Sequence, residues 1–282
     1  MIFPVRNYDL AGTLASGQAF RWKLAAGAWE GVIDHHWVRL KMLDTGISAE
    51  TASPISDWSW LSRYLQLEVD LESVLLSFPD DEPMRLAVGR CRGLRLLRQE
   101  PWECLASFIL SSTKQIVQIQ QIVSMLCSRF GSPLVVPSGY EPACSFPTPD
   151  RLGAATEGEL RACKMGFRAP NLRATAIAVA EGSINLKALQ TQTVQEARAE
   201  LLKLPGVGNK IANCVLLFAC GFQEAFPVDV WILKALRQLY FPKRRPNARR
   251  LLRFTATHFG PHAGYAQQYL FHYMRQQGRK AD

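Results

Sequence analysis

A glycine turn, a lysine and an aspartate stand close together in residues 204–229 of this chain. The turn reads Leu204-Pro205-Gly206-Val207-Gly208-Asn209-Lys210, and Asp229 ends the later segment Pro227-Val228-Asp229. Two glycines around Val207 permit a tight reversal that exposes backbone N–H groups beside a helix start, where an anionic oxygen binds well. Gly206, Val207 and Gly208 are therefore predicted to hold a DNA phosphate through the main chain, which positions a protein without reading base sequence.

Helices are predicted on both sides of this turn. Thr193 and Glu196 have the spacing of a capping box, and apolar residues follow at helical intervals as far as Leu204. After the turn, residues 211–219 are continuously apolar, so the unit reads as helix, hairpin, helix. A dinucleotide-binding fingerprint is the competing interpretation of the two glycines. It requires a preceding strand and a small residue where Ile211 stands, so the context disfavours it.

Lys210 and Asp229 are residue types that can break a glycosidic bond. At a helix start the positive end of the dipole disfavours an ammonium, so Lys210 is predicted to act as a neutral amine nucleophile. Attack on a sugar C1′ would expel the base and leave a Schiff base, a route open to lysine but not to arginine. The Asp229 carboxylate would stabilise the positive charge on the sugar and help to hold the amine in its working protonation state. The alternative is a lysine that only contacts phosphate.

The segment from Leu204 to Asp229 resembles the helix-hairpin-helix DNA glycosylase superfamily. Nearly the whole chain, from about residue 1 to 275, resembles its 8-oxoguanine DNA glycosylase branch. Two further segments carry the resemblance, Ser16-Gly17-Gln18-Ala19-Phe20-Arg21-Trp22 and Ala263-Gly264-Tyr265-Ala266-Gln267-Gln268-Tyr269-Leu270-Phe271.

The resemblance implies how an extruded base is held. The Gly17 carbonyl would accept the N7 proton that 8-oxoguanine carries and guanine lacks. Gln267 would bind the Watson–Crick edge and Phe271 would stack on one face, which agrees with their spacing of four residues on one side of a helix. Cys214, four residues after Lys210, would pack on the opposite face; without the resemblance it would be taken as a small buried core residue.

The resemblance also implies contacts with the base left without a partner. Phe108-Ile109-Leu110-Ser111-Ser112 resembles the segment that leads into the loop filling the vacated space, and Gly166-Phe167-Arg168 resembles the wedge. Phe167 would intercalate beside the orphaned base, and Arg168 would donate hydrogen bonds to its edge.

Three residues depart from the family's pattern. Thr113 stands where the family often has Asn, and Gln118 where it has Arg, which puts strict preference for cytosine opposite the lesion in doubt. Trp231 replaces a histidine near the phosphate of the flipped nucleotide. Its indole N–H can donate a hydrogen bond but cannot titrate, so altered pH dependence of activity is expected.

The fold is predicted to be α+β, with an N-terminal antiparallel sheet lobe (residues 1–100) packed on a helical lobe that contains the hairpin (residues 101–282). Residues 17–43 alternate aromatic and polar positions, whereas helical spacing begins near Asp57 and covers residues 101–130 and 157–180. Residues 133–149 are rich in proline and read as a loop. The active cleft is expected between the lobes.

Composition narrows the possible partners and ligands. The 282 residues carry a formal charge of +9, which favours a polyanion; the densest basic stretch, residues 243–253, is either a phosphate-facing flank or a solvated helix edge. Seven scattered cysteines without a C-x-x-C pair favour a reducing compartment and offer neither a zinc site nor the C-terminal iron-sulfur ligands of some superfamily members. No metal and no cofactor is predicted, although the resemblance allows a monovalent cation at the carbonyls of Leu204 to Val207.

The sequence therefore predicts a bifunctional DNA glycosylase and abasic-site lyase that excises 8-oxoguanine from double-stranded DNA. It is expected to be a monomer without a membrane segment, in a bacterial cytoplasm or, in a eukaryote, the nucleus. Two alternatives stay open: a glycosylase for another oxidised or alkylated purine, and a non-catalytic helix-hairpin-helix DNA-binding protein.

Overall fold

The computed structural model describes residues 1–112, 114–243 and 246–278. Thr113, predicted to lie near the orphaned base, falls outside these residues, as do two arginines of the basic stretch, Arg244 and Arg245. The described chain forms a sheet lobe and a larger helical lobe, which confirms the predicted α+β class.

The sheet is antiparallel throughout, in the order β1-β5-β4-β3-β2, with β1 (Ile2–Phe3), β2 (Lys23–Ala25), β3 (Ala28–Ile33), β4 (His36–Leu43) and β5 (Gly46–Thr51). Tight turns join the strands, and residues in the left-handed region, such as Gly27 (φ 74°) and Asp34 (φ 53°), make these reversals possible. The predicted limits of the sheet, residues 17–43, were wrong at both ends. Residues 17–22 form a turn and a loop, while β5 and the two-residue β1, which carries no alternating pattern, complete the sheet.

The helices account for most of the remaining chain. They are α1 (Leu10–Ala15), α2 (Ser59–Leu65), α3 (Leu71–Leu76), α4 (Glu82–Cys91), α5 (Pro101–Leu110), α6 (Ile116–Phe130), α7 (Pro149–Ala154), α8 (Glu157–Leu160), α9 (Ala169–Ala180), α10 (Val194–Leu202), α11 (Asn209–Val215), α12 (Val230–Ala235), α13 (Ala248–Thr257) and α14 (Ala263–Gly278). Wider π-type turns extend α11 and α12 through Leu216–Cys220 and Leu236–Tyr240, whereas Arg161–Met165, which follows α8, contains a kink at Cys163 and Lys164. None of these described helices is long and apolar enough to cross a membrane.

Two hydrophobic clusters divide the interior. The smaller one joins one face of the sheet to α1 and α2 and includes Leu14, Val38 and Leu61. The larger one joins the other helices, and it already includes Val74 of α3 and Met84 of α4. The two clusters do not divide at one point of the chain, because Phe20 belongs to the larger and Leu97 to the smaller. Helix α4 packs against α14 although it precedes α5 in the chain. The domain boundary at residues 100 and 101 stays a prediction.

The helix predicted over residues 157–180 is interrupted between α8 and α9. Lys164 has φ 61° and ψ 18°, and Gly166 has φ 60° and ψ −130°, both outside the helical region. A continuous helix there was therefore the wrong prediction. The break turns the chain so that Phe167 stands on the surface with 61% of its area exposed.

Candidate active site

A cleft of about 1460 Å³ lies between the two lobes. The sheet side contributes Gly17 and the aromatic residues of β3 and β4, and the helical side contributes α6, α11, α12 and α14. The six residues predicted for catalysis and base binding all line this one cleft: Gly17, Lys210, Cys214, Asp229, Gln267 and Phe271.

The helix-hairpin-helix unit forms as the sequence pattern predicts. Thr193 and Glu196 form the capping box of α10. Gly206 takes φ 77°, and a Cβ there would lie 2.8 Å from the Asn171 side chain, so both conformation and space require glycine. The Val207 N–H bonds to the Leu204 carbonyl at 3.1 Å, so fewer N–H groups face outward than the turn sequence implied.

Lys210 is the second residue of α11, whose N-cap is Gly208. Its amine donates to Ser111 Oγ at 2.6 Å and lies 5.2 Å from the centre of the Phe108 ring. The Ser111 hydroxyl in turn donates to the Phe108 carbonyl at 2.7 Å. The amine is therefore held at the cleft by a hydroxyl from the end of α5 and by the face of an aromatic ring.

Asp229 is the N-cap of α12, and its Oδ1 accepts the Ile232 N–H at 2.8 Å. Burial raises the pKa of its carboxyl above the ordinary value, while hydrogen bonds from the helix N–H groups and the charge of Lys210 act in the opposite direction. Among the described residues, Asp229 and the Lys210 amine do not form an ion pair within 4.0 Å, and the amine is bonded to Ser111 instead. The carboxylate faces the cleft instead and acts on Lys210 from a longer distance.

The side chains predicted to bind the base surround one part of the cleft. Cys214 is buried, and burial raises the pKa of its thiol to about 12, so it presents a neutral, apolar surface. Gln267 is 4% exposed, and its side-chain carbonyl has no hydrogen-bond partner among the described residues. A buried acceptor of this kind is costly unless a ligand satisfies it. Phe271 is half-buried, with the Arg275 guanidinium 5.5 Å from the centre of its ring.

Gly17 adopts φ 82°, and a Cβ at this position would lie 2.3 Å from Ile116 Cδ1. The left-handed backbone favours glycine here, and a larger residue would also displace the end of the Ile116 side chain. Its main chain is fixed by its neighbour Gln18, which is fully buried and was not identified from the sequence. The Gln18 amide donates to the Thr13 and Arg95 carbonyls at 3.0 and 2.8 Å and accepts the Leu97 N–H at 2.7 Å.

A second buried glutamine connects the Gly17 turn to the base-reading helix. Gln268 of α14 donates to the Ser16 carbonyl at 3.3 Å. Ser16 directly precedes Gly17, and Gln268 directly follows Gln267. The positions of the Gly17 carbonyl and the Gln267 amide are thereby coupled across the two lobes. Neither glutamine had a local sequence signal, because both act through partners distant in the chain.

Comparisons with known proteins agree with this arrangement. The model of the 8-oxoguanine DNA glycosylase N-terminal domain matches residues 1–105, and that of the HhH-GPD superfamily of base excision DNA repair proteins matches residues 106–259. The chain belongs to the 8-oxoguanine DNA glycosylase family. The predicted family is thus confirmed, together with the base-excision repair role that describes its superfamily.

Similar family members span nearly the same length. A probable N-glycosylase/DNA lyase of Methanothermobacter thermautotrophicus is 30% identical over 99% of this chain and 97% of its own, and the N-glycosylase/DNA lyase OGG1 of Arabidopsis thaliana is 34% identical over 95% and 79%. The solved 8-oxoguanine glycosylase/lyase of Clostridium acetobutylicum, in complex with DNA containing cytosine opposite 8-oxoguanine, superposes with a TM-score of 0.89. It is 29% identical and covers 99% of this chain and 98% of its own.

The residues predicted to contact the orphaned base differ in their exposure to solvent. Phe167 is exposed, as a wedge requires, but Arg168 is buried and packs on the Phe167 ring, with its guanidinium 4.3 Å from the ring centre. Arg168 also donates to the Met165 carbonyl, so it would have to turn outward to reach a base. The Gln118 side chain accepts the Gln115 N–H at 3.0 Å and so completes the capping box of α6.

Trp231 follows Asp229 in the first turn of α12 and lines the cleft. The Lys234 amine lies 5.5 Å from its ring centre. This placement, at the edge of the cleft beside a cation, is compatible with the predicted contact to a phosphate.

The described part of the chain has no group of three or more His, Cys, Asp or Glu side chains that could hold a metal ion. All seven cysteines are free thiols.

Proposed function

We propose that this protein excises flipped-out 8-oxoguanine from double-stranded DNA and then cleaves the strand as a lyase, with Lys210 as the nucleophile. The observation that carries the proposal is the convergence of the Lys210 amine with Gly17, Gln267 and Phe271 in one cleft. A purely DNA-binding module needs an anion site at the hairpin but no buried, unsatisfied amide facing a cavity.

The reaction begins with the neutral Lys210 amine attacking C1′ of the flipped nucleotide. The C1′–N9 bond breaks, and the departing base takes the electron pair and a proton. The new C1′–nitrogen bond becomes a Schiff base as the sugar ring opens. Loss of a C2′ proton then expels the 3′ phosphate by β-elimination, which nicks the strand.

Asp229 stabilises the positive charge that develops on the sugar as the glycosidic bond breaks. Because it is separated from the Lys210 amine and faces the cleft, its carboxylate can lie beside the sugar ring. Ser111 orients the amine through the 2.6 Å hydrogen bond. The conformational entropy of the Lys210 side chain is therefore already reduced before the substrate binds.

Recognition of the base rests on three contacts. The Gly17 carbonyl accepts the N7 proton, Gln267 bonds the Watson–Crick edge through its unsatisfied carbonyl, and the base lies between Phe271 and Cys214. Guanine lacks the N7 proton, so its N7 lone pair would face the Gly17 carbonyl oxygen. Two acceptors without a proton between them are costly in a buried site.

The contacts with DNA are proposed from the family resemblance and from the position of each residue in the structure. Gly206, Val207 and Gly208 bind a phosphate at the hairpin, Trp231 donates to a second phosphate, and Phe167 fills the space left by the flipped nucleotide. Gln118 caps α6 through its Oε1, which leaves its neutral amide N–H groups and the Arg168 guanidinium as donors for the orphaned base; because Gln118 stands where the family has Arg, we expect relaxed preference for the opposite base.

A monovalent cation at the hairpin fits the residues present. The carbonyls of Leu204 and Pro205 already accept hydrogen bonds from Val207 and Thr175, and each retains a second lone pair. We further propose that the protein acts as a monomer wherever the cell keeps its DNA, a bacterial cytoplasm in the simplest case; fractionation of the source cells would check the compartment.

The proposal is tested by incubating the protein with duplexes that contain 8-oxoguanine opposite each of the four bases, with and without borohydride. Wild type should release the base and be trapped covalently, whereas Lys210→Gln should bind DNA without either product. Lys203→Gln, which removes an exposed lysine of the preceding helix end, is the matched control and should be trapped normally.

Adduct formation by Lys210→Gln would exclude Lys210 as the nucleophile. Binding by wild type without base release or adduct would favour the non-catalytic alternative, and release of a different purine only would favour the other glycosylase. Similar excision opposite all four bases would support relaxed opposite-base preference, and excision opposite cytosine alone would contradict it.

A further inference from the structure

The net positive charge of this protein comes from the C-terminal part of its chain, beyond Asp229. Residues 230–281 contain 11 Lys and Arg and no Asp or Glu, whereas residues 1–229 contain 22 Lys and Arg and 23 Asp and Glu. The entire excess of +9 therefore lies beyond Asp229. The proposed active site accounts for Trp231 and the residues of α14 in this region, but for none of the cations of α12 and α13.

Six of these cations are described and exposed, and we call them the C-terminal basic surface: Lys234, Arg237, Lys243, Arg249, Arg250 and Arg253. Within the described chain none of the six has a carboxylate within 4.0 Å. Several cations elsewhere do have such a partner, as Arg39 with Glu50 at 3.2 Å and Arg92 with Glu72 at 2.8 Å. A solvated helix edge would be expected to mix both signs of charge, and concentrated like charges repel one another in the free protein.

The C-terminal basic surface begins at the cleft. Trp231 lines the cleft, and Lys234 lies over its ring one helical turn further on. Arg237 follows Lys234 after three residues in the π-type turn that extends α12, and Phe241 ends this turn. The Arg250 guanidinium then lies 5.2 Å from the centre of the Phe241 ring, which joins α13 to this row.

On α13 the cations again share a side. Arg249, Arg250 and Arg253 fall within about one quarter to one third of the helix circumference, given the repeat of about 3.6 residues per turn. The opposite side of α13 is apolar and buried, with Leu251 in the core and Phe254 5.0 Å from Phe241. The helix is therefore fixed to the protein by one side and presents arginines on the other.

We propose that the C-terminal basic surface binds the sugar-phosphate backbone of the duplex that flanks the lesion, as a contact separate from the hairpin. The arginines face a regular row of phosphates, which relieves their mutual repulsion and releases counterions from the DNA. The contact reads no base sequence, so it acts equally on damaged and undamaged DNA. The inference rests on duplex DNA as the partner in the proposed function, but not on the chemistry assigned to Lys210.

The test measures the dissociation constant for an undamaged duplex over a range of salt concentrations. A triple variant, Arg249→Gln with Arg250→Gln and Arg253→Gln, should lower the slope of log Kd against log salt by about 2 to 3, because each lost phosphate contact removes about 0.9. Lys41→Gln with Arg85→Gln and Lys187→Gln is the matched control. It removes the same charge from exposed positions outside the cleft and should keep the wild-type slope.

Two further arms locate the contact. Replacing the same three arginines by lysine should keep the slope, because phosphate binding needs the charge. Duplexes trimmed on one side of the bound site should abolish the difference between wild type and the glutamine variant, and trimming on the other side should preserve it.

Equal slopes for the glutamine triple variant and its control would overturn the proposal, as would a difference that survives trimming on both sides. Because Arg250 also contacts Phe241, the double variant of Arg249→Gln and Arg253→Gln repeats the test without that contact, with an expected drop of about 2. Failure of these tests would leave borohydride trapping at Lys210 unaffected, so the two proposals can fail independently.

Discussion

The Lys210 amine and the Ser111 hydroxyl lie 2.6 Å apart, although 99 residues separate them in the chain. Because Ser111 commits its own proton to the Phe108 carbonyl, its oxygen is left as an acceptor for the amine. The nucleophile is thus positioned by α5, a helix outside the hairpin.

Ser111→Ala should slow base excision without preventing it. The substitution removes one hydrogen bond worth about 1 kcal/mol, which corresponds to about a fivefold lower rate. Single-turnover excision and the rate of borohydride trapping measure the effect, with Ser111→Thr as a control that keeps the hydroxyl. An unchanged rate in the alanine variant would mean that Lys210 is oriented by other contacts.

Gln267→Leu should slow base excision without lowering the stability of the fold. The Gln267 carbonyl is buried without a partner, so an apolar side chain of similar size should leave the melting temperature equal or higher. Excision should fall by about 10-fold to 100-fold, because the Watson–Crick edge loses a contact worth about 1 to 3 kcal/mol. Thermal unfolding and single-turnover kinetics check the two halves, and a large loss of stability would show that Gln267 has a structural role.

Gln18→Leu should have the opposite effect on stability. It leaves the Leu97 N–H and the Thr13 and Arg95 carbonyls without their partner in a fully buried position, at a cost of about 3 kcal/mol or more. Chemical denaturation should show the loss, while Gln66→Leu, an exposed position, should show little change. A wild-type unfolding free energy in Gln18→Leu would contradict the role of this residue in fixing the Gly17 turn.

Glu103 should make stability depend on pH. Burial raises the pKa of its carboxyl to about 7, although the Arg21 guanidinium lies 3.5 Å away and favours the charged form. A raised pKa means that the folded protein holds the proton more tightly than the unfolded chain. The stabilisation is therefore complete below about pH 4.5 and is lost as the pH rises through about 7, by up to about 3 kcal/mol.

Glu103→Gln should remove most of this decline between pH 5 and pH 8. Denaturation at several pH values measures it, and Glu50→Gln, which alters an exposed carboxylate paired with Arg39, is the control. If Glu103→Gln keeps the wild-type pH dependence, another group is responsible.

Local patterns predicted the parts of the site that are built from consecutive residues. The capping box at Thr193, the two glycines of the hairpin and the place of Lys210 in the first turn of α11 follow from short-range chemistry. The family resemblance added Gly17 and Gln267, which no local pattern could place in one cleft.

What the sequence could not supply were contacts between distant segments. Asp229 shows this, because its role as the N-cap of α12 holds it away from Lys210. Gln18 and Ser111 show it as well, since their partners lie far away in the chain. Strand β1 has only two residues and depends on pairing with β5, so its own sequence carries no signal.

The break between α8 and α9 is already formed in the protein without DNA. The positive φ angles of Lys164 and Gly166 accompany a Phe167 side chain that is exposed on the surface. A wedge that is shaped before encounter loses little conformational entropy when it enters the duplex. In the proposed function, Phe167 would therefore enter the duplex without a folding step.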